Sequence, residues 1–325
     1  MNWFSAALVS FKRLAPDGTR LSAVVVFAAA CASAPPQAPP TAASGSLRVE
    51  GARIHFETIG RGEPIIVVHG GPGMDHGYLR PGMDELARTH RLVFYDQRGS
   101  GRTEGEVTRA TVNIDAFLGD ITALADSLRL PRFTLLGHSF GGLLAMHYAA
   151  RHPERLRALV LMNTVEPGRR FVIQMNDLAA RRRTAEDSAA MQAVLRSPGM
   201  PRRDTSAVNE LLRISFRTLF ADRTLASRLR LHLDPRTAAN MGPVATHLVG
   251  SMGTFDFWPV AASIPTPTLI VHGVEDAMPL QMVRDLQQTI QGSELVLIEG
   301  AGHFPYIEQP AETFGAIRRF IGSRR

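Results

Sequence analysis

Residues 137–142 of this sequence, Gly-His-Ser-Phe-Gly-Gly, place a serine between small residues. A short apolar run at residues 133–136 precedes them, and a helical pattern begins near Leu143. A serine at a sharp turn between a strand and a helix stands exposed at the end of the strand, and small residues two positions away on either side permit that turn. The following helix N-terminus favours developing negative charge. Ser139 is therefore the candidate nucleophile, and the Phe140 amide is a candidate hydrogen-bond donor to an oxyanion.

A serine hydroxyl needs a base to become a good nucleophile, and that base needs a carboxylate to orient it. In a sheet of this kind the acid and then the histidine follow later strands. His303 lies in a glycine-rich segment after the last predicted strand, and Asp276 lies just past the strand before it. We assign His303 as general base and acid and Asp276 as its orienting carboxylate. Glu275 and Glu166 are the alternative acids.

A second glycine-rich segment, His-Gly-Gly-Pro-Gly at residues 69–73, follows the first long apolar strand. Its glycines allow a backbone amide to point into the site, so we assign the Gly71 N–H as a second oxyanion donor beside that of Phe140. A phosphate-binding loop is the competing interpretation, but no Lys-Ser/Thr follows and the spacing does not match G-x-G-x-x-G. No metal or organic cofactor is expected. The other ten histidines, His138 and His147 among them, are expected to be packing residues.

Short β-branched runs alternate with longer amphipathic segments through most of the chain. A hairpin is predicted at residues 47–59 and continuous apolar strands at 64–68, 91–95, 133–136, 159–162, 268–271 and 294–298. Helical patterns such as 114–128 and 143–151 separate the strands. This alternation is typical of an α/β fold with a mostly parallel central sheet and helices on both faces.

The interval 165–263 lacks a strand pattern and is predicted to be an inserted helical cap, with one helix at residues 206–219. The catalytic core is accordingly predicted to consist of residues 47–164 and 264–325.

The beginning of the chain has the pattern of a signal peptide over residues 1–30, where basic residues precede an apolar run too short to span a membrane. The only cysteine, Cys31, follows this run and resembles the lipidated cysteine of bacterial lipoproteins, although Ala28 stands where leucine is usual. Residues 31–46, rich in proline and alanine, predict a tether. We expect an exported protein whose only membrane contact is a lipid anchor. The alternatives are a soluble exported protein and a cytoplasmic one.

Composition narrows the possible classes of protein. The 325 residues are 45% hydrophobic and 20% charged, as in ordinary globular proteins, and a single cysteine excludes a disulfide framework. The formal net charge is +6, but the basic residues are scattered among 30 acidic ones. This distribution argues against a nucleic-acid partner. The expected partner is a small-molecule or short-peptide substrate.

Taken together, these residues give the chain a resemblance to the α/β-hydrolase superfamily over residues 47–325. Within it, the chain is similar to the prolyl iminopeptidase-like branch of serine peptidases, which is marked by His-Gly-Gly-Pro-Gly at residues 69–73 and Asp-Gln-Arg-Gly-Ser-Gly-Arg at residues 96–102. The resemblance implies a triad of Ser139, Asp276 and His303, and a helical cap that closes the pocket.

Two positions depart from the iminopeptidase pattern. Phe140 stands where tryptophan is common, and residues 242–246, Gly-Pro-Val-Ala-Thr, match a cap segment in which the family has a carboxylate that holds the substrate's free amine. Ala245 occupies that place, and a buried ammonium without a counter-charge is costly. The sequence thus predicts a serine hydrolase that forms an acyl-enzyme with a small amide, peptide or ester. A carboxylesterase or lactonase is the alternative, and an inactive binding protein with this fold is a remote one.

Overall fold

The computed structural model describes residues 42–324. The predicted signal peptide, Cys31 and the first part of the predicted tether lie outside the described residues. Within this range the strands are β1 (Ala42–Val49), β2 (Ala52–Ile59), β3 (Pro64–Val68), β4 (Arg91–Tyr95), β5 (Glu104–Gly105), β6 (Phe133–His138), β7 (Leu156–Met162), β8 (Thr268–Gly273) and β9 (Glu294–Ile298). The helices are α1 (Asp84–Ala87), α2 (Ile114–Ser127), α3 (Phe140–Arg151), α4 (Val172–Arg181), α5 (Ala185–Arg196), α6 (Thr205–Arg217), α7 (Pro235–Ser251), α8 (Trp258–Ala262), α9 (Leu280–Thr289), α10 (Pro305–Glu308) and α11 (Pro310–Gly322). None of these helices is long and apolar enough to cross a membrane.

The strands form one sheet in the order β1-β2-β4-β3-β6-β7-β8-β9, with β5 paired to β2. Neighbouring strands in the series β4-β3-β6-β7-β8-β9 pair parallel, whereas β2 pairs antiparallel with β1, β4 and β5. Successive residues of β3 enter different apolar clusters: Ile65 and Val67 join one, and Ile66 and Val68 join the other. Both faces of the sheet are therefore buried, which explains the continuous apolar runs. The predicted α/β fold with a mostly parallel sheet is confirmed.

The first strand corrects the predicted end of the tether. β1 begins at Ala42, inside the predicted tether at residues 31–46, and pairs antiparallel with β2 from Ala42 opposite Ile59 onward. A Cβ at Gly45 would lie only 2.6 Å from the ring of Phe56, so the glycine leaves room for this ring in its present position. Residues 42–46 are all small, so they show no alternation of apolar and polar side chains that would predict a strand. Their strand conformation comes from pairing with β2 rather than from local preference.

Helices α4–α8 lie between β7 and β8, and no strand occurs between those two strands in the described chain. The helix predicted at residues 206–219 is α6, which ends two residues earlier than the pattern indicated. Helix α7 binds to the segment after β4: the Gly101 N–H donates to Thr237 Oγ1 at 2.7 Å, and Asn240 Nδ2 donates to the Gly99 carbonyl at 3.1 Å. The 96–102 motif is therefore a support for this helix.

Candidate active site

Ser139 occupies a strained turn between β6 and α3. Strand β6 ends one residue before it and α3 begins one residue after it, and its backbone has φ of 56° and ψ of −125°. A non-glycine residue in the left-handed region carries backbone strain, which clusters at functional sites. The turn is tight: a Cβ at Gly137 would collide with the Gly141 carbonyl, and one at Gly141 would collide with the Val68 carbonyl. The strand, turn and helix expected from the sequence are present, and they leave Ser139 partly exposed.

Helix α3 begins at Phe140, three residues earlier than the sequence pattern indicated. The Gly142 N–H donates to the Ser139 carbonyl at 2.9 Å and closes the first turn immediately after the serine. The Phe140 N–H is thus the first amide of the helix, where no intrahelical acceptor exists. An amide in this position can donate a hydrogen bond to an anion formed beside Ser139.

His303 and Asp276 are joined by a hydrogen bond of 2.9 Å between Nδ1 and Oδ2. Asn163 Nδ2 donates to the same Asp276 oxygen at 2.6 Å. Burial alone raises the pKa of Asp276, but its interactions with His303 outweigh burial and, with the Asn163 hydrogen bond, hold the pKa well below its ordinary value. Asp276 is therefore an anion that orients the histidine. Sequence reasoning missed Asn163, whose one signal is its place directly after β7.

The two alternative acids make other contacts. Glu166 accepts hydrogen bonds from the backbone amides of residues 170–171 at 2.6 and 2.9 Å. Glu275 accepts one from the Ala301 N–H at 3.0 Å. Both carboxylates stabilise local backbone, so Asp276 is the acid that the geometry supports.

No hydrogen bond joins Ser139 Oγ to the candidate base in the part of the chain that the structure describes. Within residues 42–324, Ser139 Oγ makes no hydrogen bond, and the ring centroid of its neighbour His138 lies 4.9 Å from that of His303. On its other side, a Cβ at Gly70 would lie 2.9 Å from Ser139 Cβ. Ser139 thus lies against the first glycine-rich segment, and the residue before it packs against His303. Catalytic hydrogen bonds often become short only in a complex with substrate.

The peptide between Gly70 and Gly71 is fixed by His69. His69 Nδ1 donates to the Gly70 carbonyl at 2.8 Å, and its Nε2 accepts from the Gln97 N–H at 3.1 Å. Burial lowers the pKa of His69 to about 4, so the ring is neutral with its proton on Nδ1. Because the C=O and N–H of a trans peptide point in opposite directions, the Gly71 N–H is directed away from His69. Gly71 itself is exposed, with φ of 133° that only glycine adopts easily.

The 96–102 motif supplies the groups that support this segment. Besides its backbone contact, Gln97 donates from Nε2 to the His69 carbonyl at 2.7 Å. Asp96 Oδ1 accepts from the ring of His76 at 2.6 Å, and Arg98 forms a buried ion pair. From the sequence alone, this motif indicates only a family resemblance. In the structure, it connects the glycine-rich segment to the rest of the core.

Helix α7 packs against the glycine-rich segment at Gly73. A Cβ at Gly73 would lie 2.7 Å from the Cα of Met241. The neighbouring residue, Gly242, packs against the guanidinium of Arg203. No acidic residue occurs in residues 242–246. Across residues 42–324, no three His, Cys, Asp or Glu side chains are grouped so that they could bind a metal ion.

This order of strands, with candidate serine, aspartate and histidine after β6, β8 and β9, defines the class of α/β hydrolases. Enzymes of this class hydrolyse their substrates. The chain belongs to the alpha/beta hydrolase fold family, whose model matches residues 63–310.

Known relatives agree with this assignment. The chain is 25% identical over 288 residues to a proline iminopeptidase of Lactobacillus helveticus, covering 85% of this chain and 97% of that protein. It is 28% identical over 280 residues to a 2-hydroxymuconate semialdehyde hydrolase of a Pseudomonas species, covering 83% and 91%. A thermophilic esterase from Thermogutta terrifontis has a TM-score of 0.62 at 25% identity, covering 84% of this chain and 94% of that one. The predicted similarity to proline iminopeptidases is confirmed.

Proposed function

We propose that this α/β hydrolase is a serine hydrolase that cleaves small amides, peptides or esters through an acyl-enzyme on Ser139. The observation that carries the proposal is the 2.9 Å hydrogen bond between His303 and Asp276, beside a serine held in a strained turn. Acyl transfer requires a nucleophile, a base and an orienting acid, and Ser139, His303 and Asp276 are the candidates for these roles from three separate loops.

In the proposed mechanism, Ser139 Oγ attacks the substrate carbonyl while His303 accepts the hydroxyl proton. The carbonyl oxygen becomes an oxyanion that accepts hydrogen bonds from the N–H groups of Gly71 and Phe140. His303 then gives the proton to the leaving amine or alcohol, and the acyl-enzyme forms. Water, deprotonated by His303, attacks the acyl group and releases the acid and Ser139. Asp276 keeps the proton of the neutral ring on Nδ1 and stabilises the imidazolium.

The substrate preference depends on the cap. The relatives include a peptidase and an esterase, so family membership alone is compatible with both substrates. An iminopeptidase must neutralise a free ammonium, yet Ala245 stands where a carboxylate is expected and the charged group against Gly242 is the guanidinium of Arg203. This observation favours the second candidate function, a carboxylesterase or lactonase without a free-amine requirement.

Three substrates separate the two functions: a proline arylamide, its N-acylated form and a short-chain aryl ester. Without a cap carboxylate, we expect N-acylation to change kcat/KM by less than about 10²-fold and the ester to react at least as fast as the amide. A loss of about 10⁴-fold on acylation is the signature of a site that binds the amine and would establish an iminopeptidase instead. Ser139→Ala is the control, and it should abolish both turnover and labelling by a fluorophosphonate.

We also propose that the protein is exported and anchored through a lipid on Cys31. Support comes from the signal-peptide pattern in residues 1–30 and the proline-rich stretch that follows the cysteine. Mass spectrometry of the mature amino terminus tests this: a diacylglyceryl group on Cys31 is expected, and a mature chain starting after Cys31 contradicts it.

A further inference from the structure

A continuous chain of hydrogen bonds runs from the glycine-rich segment to the loop of the candidate base, and it passes through His138, the residue before Ser139. The Gly70 N–H donates to Tyr78 Oη at 2.7 Å, and Tyr78 Oη lies 2.8 Å from His138 Nδ1. At the far side of the ring, His138 Nε2 lies 2.9 Å from the backbone carbonyl of His303. Two side chains thus connect the segment that holds one oxyanion donor to the segment that holds the base.

Chemistry fixes the direction of every proton in this chain. The carbonyl of His303 can only accept, so His138 Nε2 must carry the proton. In a neutral ring Nδ1 is then an acceptor, and the hydroxyl of Tyr78 donates to it. The Tyr78 oxygen is left free to accept from the Gly70 N–H. All four groups are satisfied in one arrangement, with no competing alternative.

Both side chains are held rigidly. Tyr78 is 3% exposed and His138 is 1% exposed, so water does not compete for their hydrogen bonds. Burial lowers the pKa of His138 to about 3, which keeps the ring neutral at every pH above that value. The ring of Phe304 packs 5.8 Å from that of His138 and 6.5 Å from that of Tyr78, measured between centroids. Packing and hydrogen bonding therefore specify the same geometry.

We propose that Tyr78 and His138 are positioning residues that hold the Gly70–Gly71 peptide and His303 in register on either side of Ser139. The inference rests on the proposed function of Ser139, because a register matters only if the oxyanion donor and the base act on one bound substrate.

The proposed effect follows from how the peptide is held. His69 holds the carbonyl of Gly70, and Tyr78 holds the amide of Gly70, so the orientation of the following Gly71 N–H is set from two sides. Removing the Tyr78 hydroxyl releases one side and leaves His138 Nδ1 without a donor. Substrate contacts in the cap are untouched. The loss should therefore fall on the transition state, where the oxyanion exists, and not on ground-state binding.

Tyr78→Phe is the main test because it removes only the hydroxyl. We expect kcat for the aryl ester to fall by about 10- to 100-fold, less than the 10²–10³ or so for deleting an oxyanion donor, while KM stays within about threefold. The matched control is Tyr148→Phe, which removes the hydroxyl of another buried tyrosine. That hydroxyl lies 3.2 Å from Thr122 Oγ1 and takes no part in the hydrogen bonds of the site. Equal kcat values in the two variants, with similar thermal stability, would overturn the proposal.

A substitution of His138 tests whether the two side chains act as one unit. A glutamine amide can replace Nε2 as the donor to the His303 carbonyl, but it leaves the Tyr78 hydroxyl without its acceptor. We expect the double variant Tyr78→Phe/His138→Gln to have about the same kcat as Tyr78→Phe alone, because both substitutions remove the same hydrogen bond. Multiplying effects in the double variant would contradict a shared role.

The outcome for Ser139 keeps this inference distinct from the proposed function. If Ser139→Ala retains fluorophosphonate labelling, the proposed function fails. If Ser139→Ala is inactive but Tyr78→Phe matches Tyr148→Phe in both kcat and KM, the serine mechanism stands and only the positioning role fails.

Discussion

Arg98 binds both carboxylate oxygens of Asp120, with Nε 2.7 Å from Oδ2 and Nη2 2.8 Å from Oδ1. Its remaining nitrogen, Nη1, donates to the carbonyls of Glu50 at 2.7 Å and Thr111 at 3.3 Å. The two charged residues are 6% and 1% exposed. This pair joins the β1–β2 hairpin, the loop after β4 and helix α2, directly beside the residue, Gln97, that holds the glycine-rich segment.

Removing only one partner of this pair should be strongly destabilising, because it leaves a buried charge without compensation. We expect Arg98→Met to lower the free energy of unfolding by about 3–5 kcal/mol, and Arg98→Met combined with Asp120→Leu to recover most of that loss. Urea unfolding measures both. The exposed pair Arg151–Asp115 is the control, since Arg151→Met should change stability by about 0–1 kcal/mol. Equal losses at the two arginines would contradict this account.

Gln97 should affect turnover through His69, although it is not expected to touch substrate. In Gln97→Leu the carbonyl of His69 loses its 2.7 Å donor, and the Gly70–Gly71 peptide loses part of its support. We expect kcat to fall about tenfold or more with KM nearly unchanged, since only oxyanion stabilisation weakens. Steady-state kinetics on the aryl ester measure this. Gln281→Leu on the exposed face of α9 should leave kcat at the wild-type value, and a rise in KM alone in Gln97→Leu would show that our assignment is wrong.

The sequence predicted the elements that carry their own local signal. Ser139 was found because glycines mark its turn, and the sheet was found because strands buried on both faces are continuously apolar. The supporting contacts lacked such a signal, because their partners are distant in sequence: Tyr78 and His138 are 60 residues apart, and Asn163 and Asp276 are 113 apart. His138 was expected merely to pack, yet both of its nitrogens are hydrogen-bonded. Such pairs become visible only once the sheet order is known.

The identity of the acid can be tested by amide substitutions that preserve shape. Asp276→Asn removes the charge that orients His303, and in serine proteases the equivalent change lowers turnover by about 10⁴-fold. We expect a loss of that order here. Glu275→Gln and Glu166→Gln should stay within about tenfold of the wild type, since their carboxylates bind backbone amides. The value of kcat on the aryl ester distinguishes the candidates. A large loss of kcat in Glu166→Gln, with near-normal kcat in Asp276→Asn, would assign the acid to the loop after β7.

His76 gives the fold a dependence on alkaline pH. Its Nδ1 lies 2.6 Å from Asp96 Oδ1, its Nε2 lies 3.6 Å from Glu57 Oε2, and its ring stacks 6.4 Å from that of His55. Burial alone lowers the pKa of His76, but the hydrogen bond to Asp96 and the nearby carboxylate of Glu57 outweigh burial and raise the pKa to about 9. The folded protein therefore holds this proton more tightly than the unfolded chain, whose histidine has a pKa of about 6.5. The imidazolium contributes its full stabilisation below about pH 6.5.

That contribution should disappear as the pH rises from about 6.5 to about 9. In this range the unfolded chain has lost the proton while the folded protein still binds it, so each increase in pH favours the unfolded chain. We expect the free energy of unfolding to fall across this window by about 1.4 kcal/mol for each unit by which the folded pKa exceeds the unfolded one. In His76→Gln the decline should be much smaller, whereas His152→Gln, at a half-buried histidine that has no contact with Asp96 or Glu57, should keep the wild-type slope. Urea unfolding at about pH 6, 7.5 and 9 supplies the comparison. Parallel pH profiles for the wild type and His76→Gln would mean that His76 is neutral in the folded protein, and that Asp96 and Glu57 are stabilised by their arginine and backbone contacts alone.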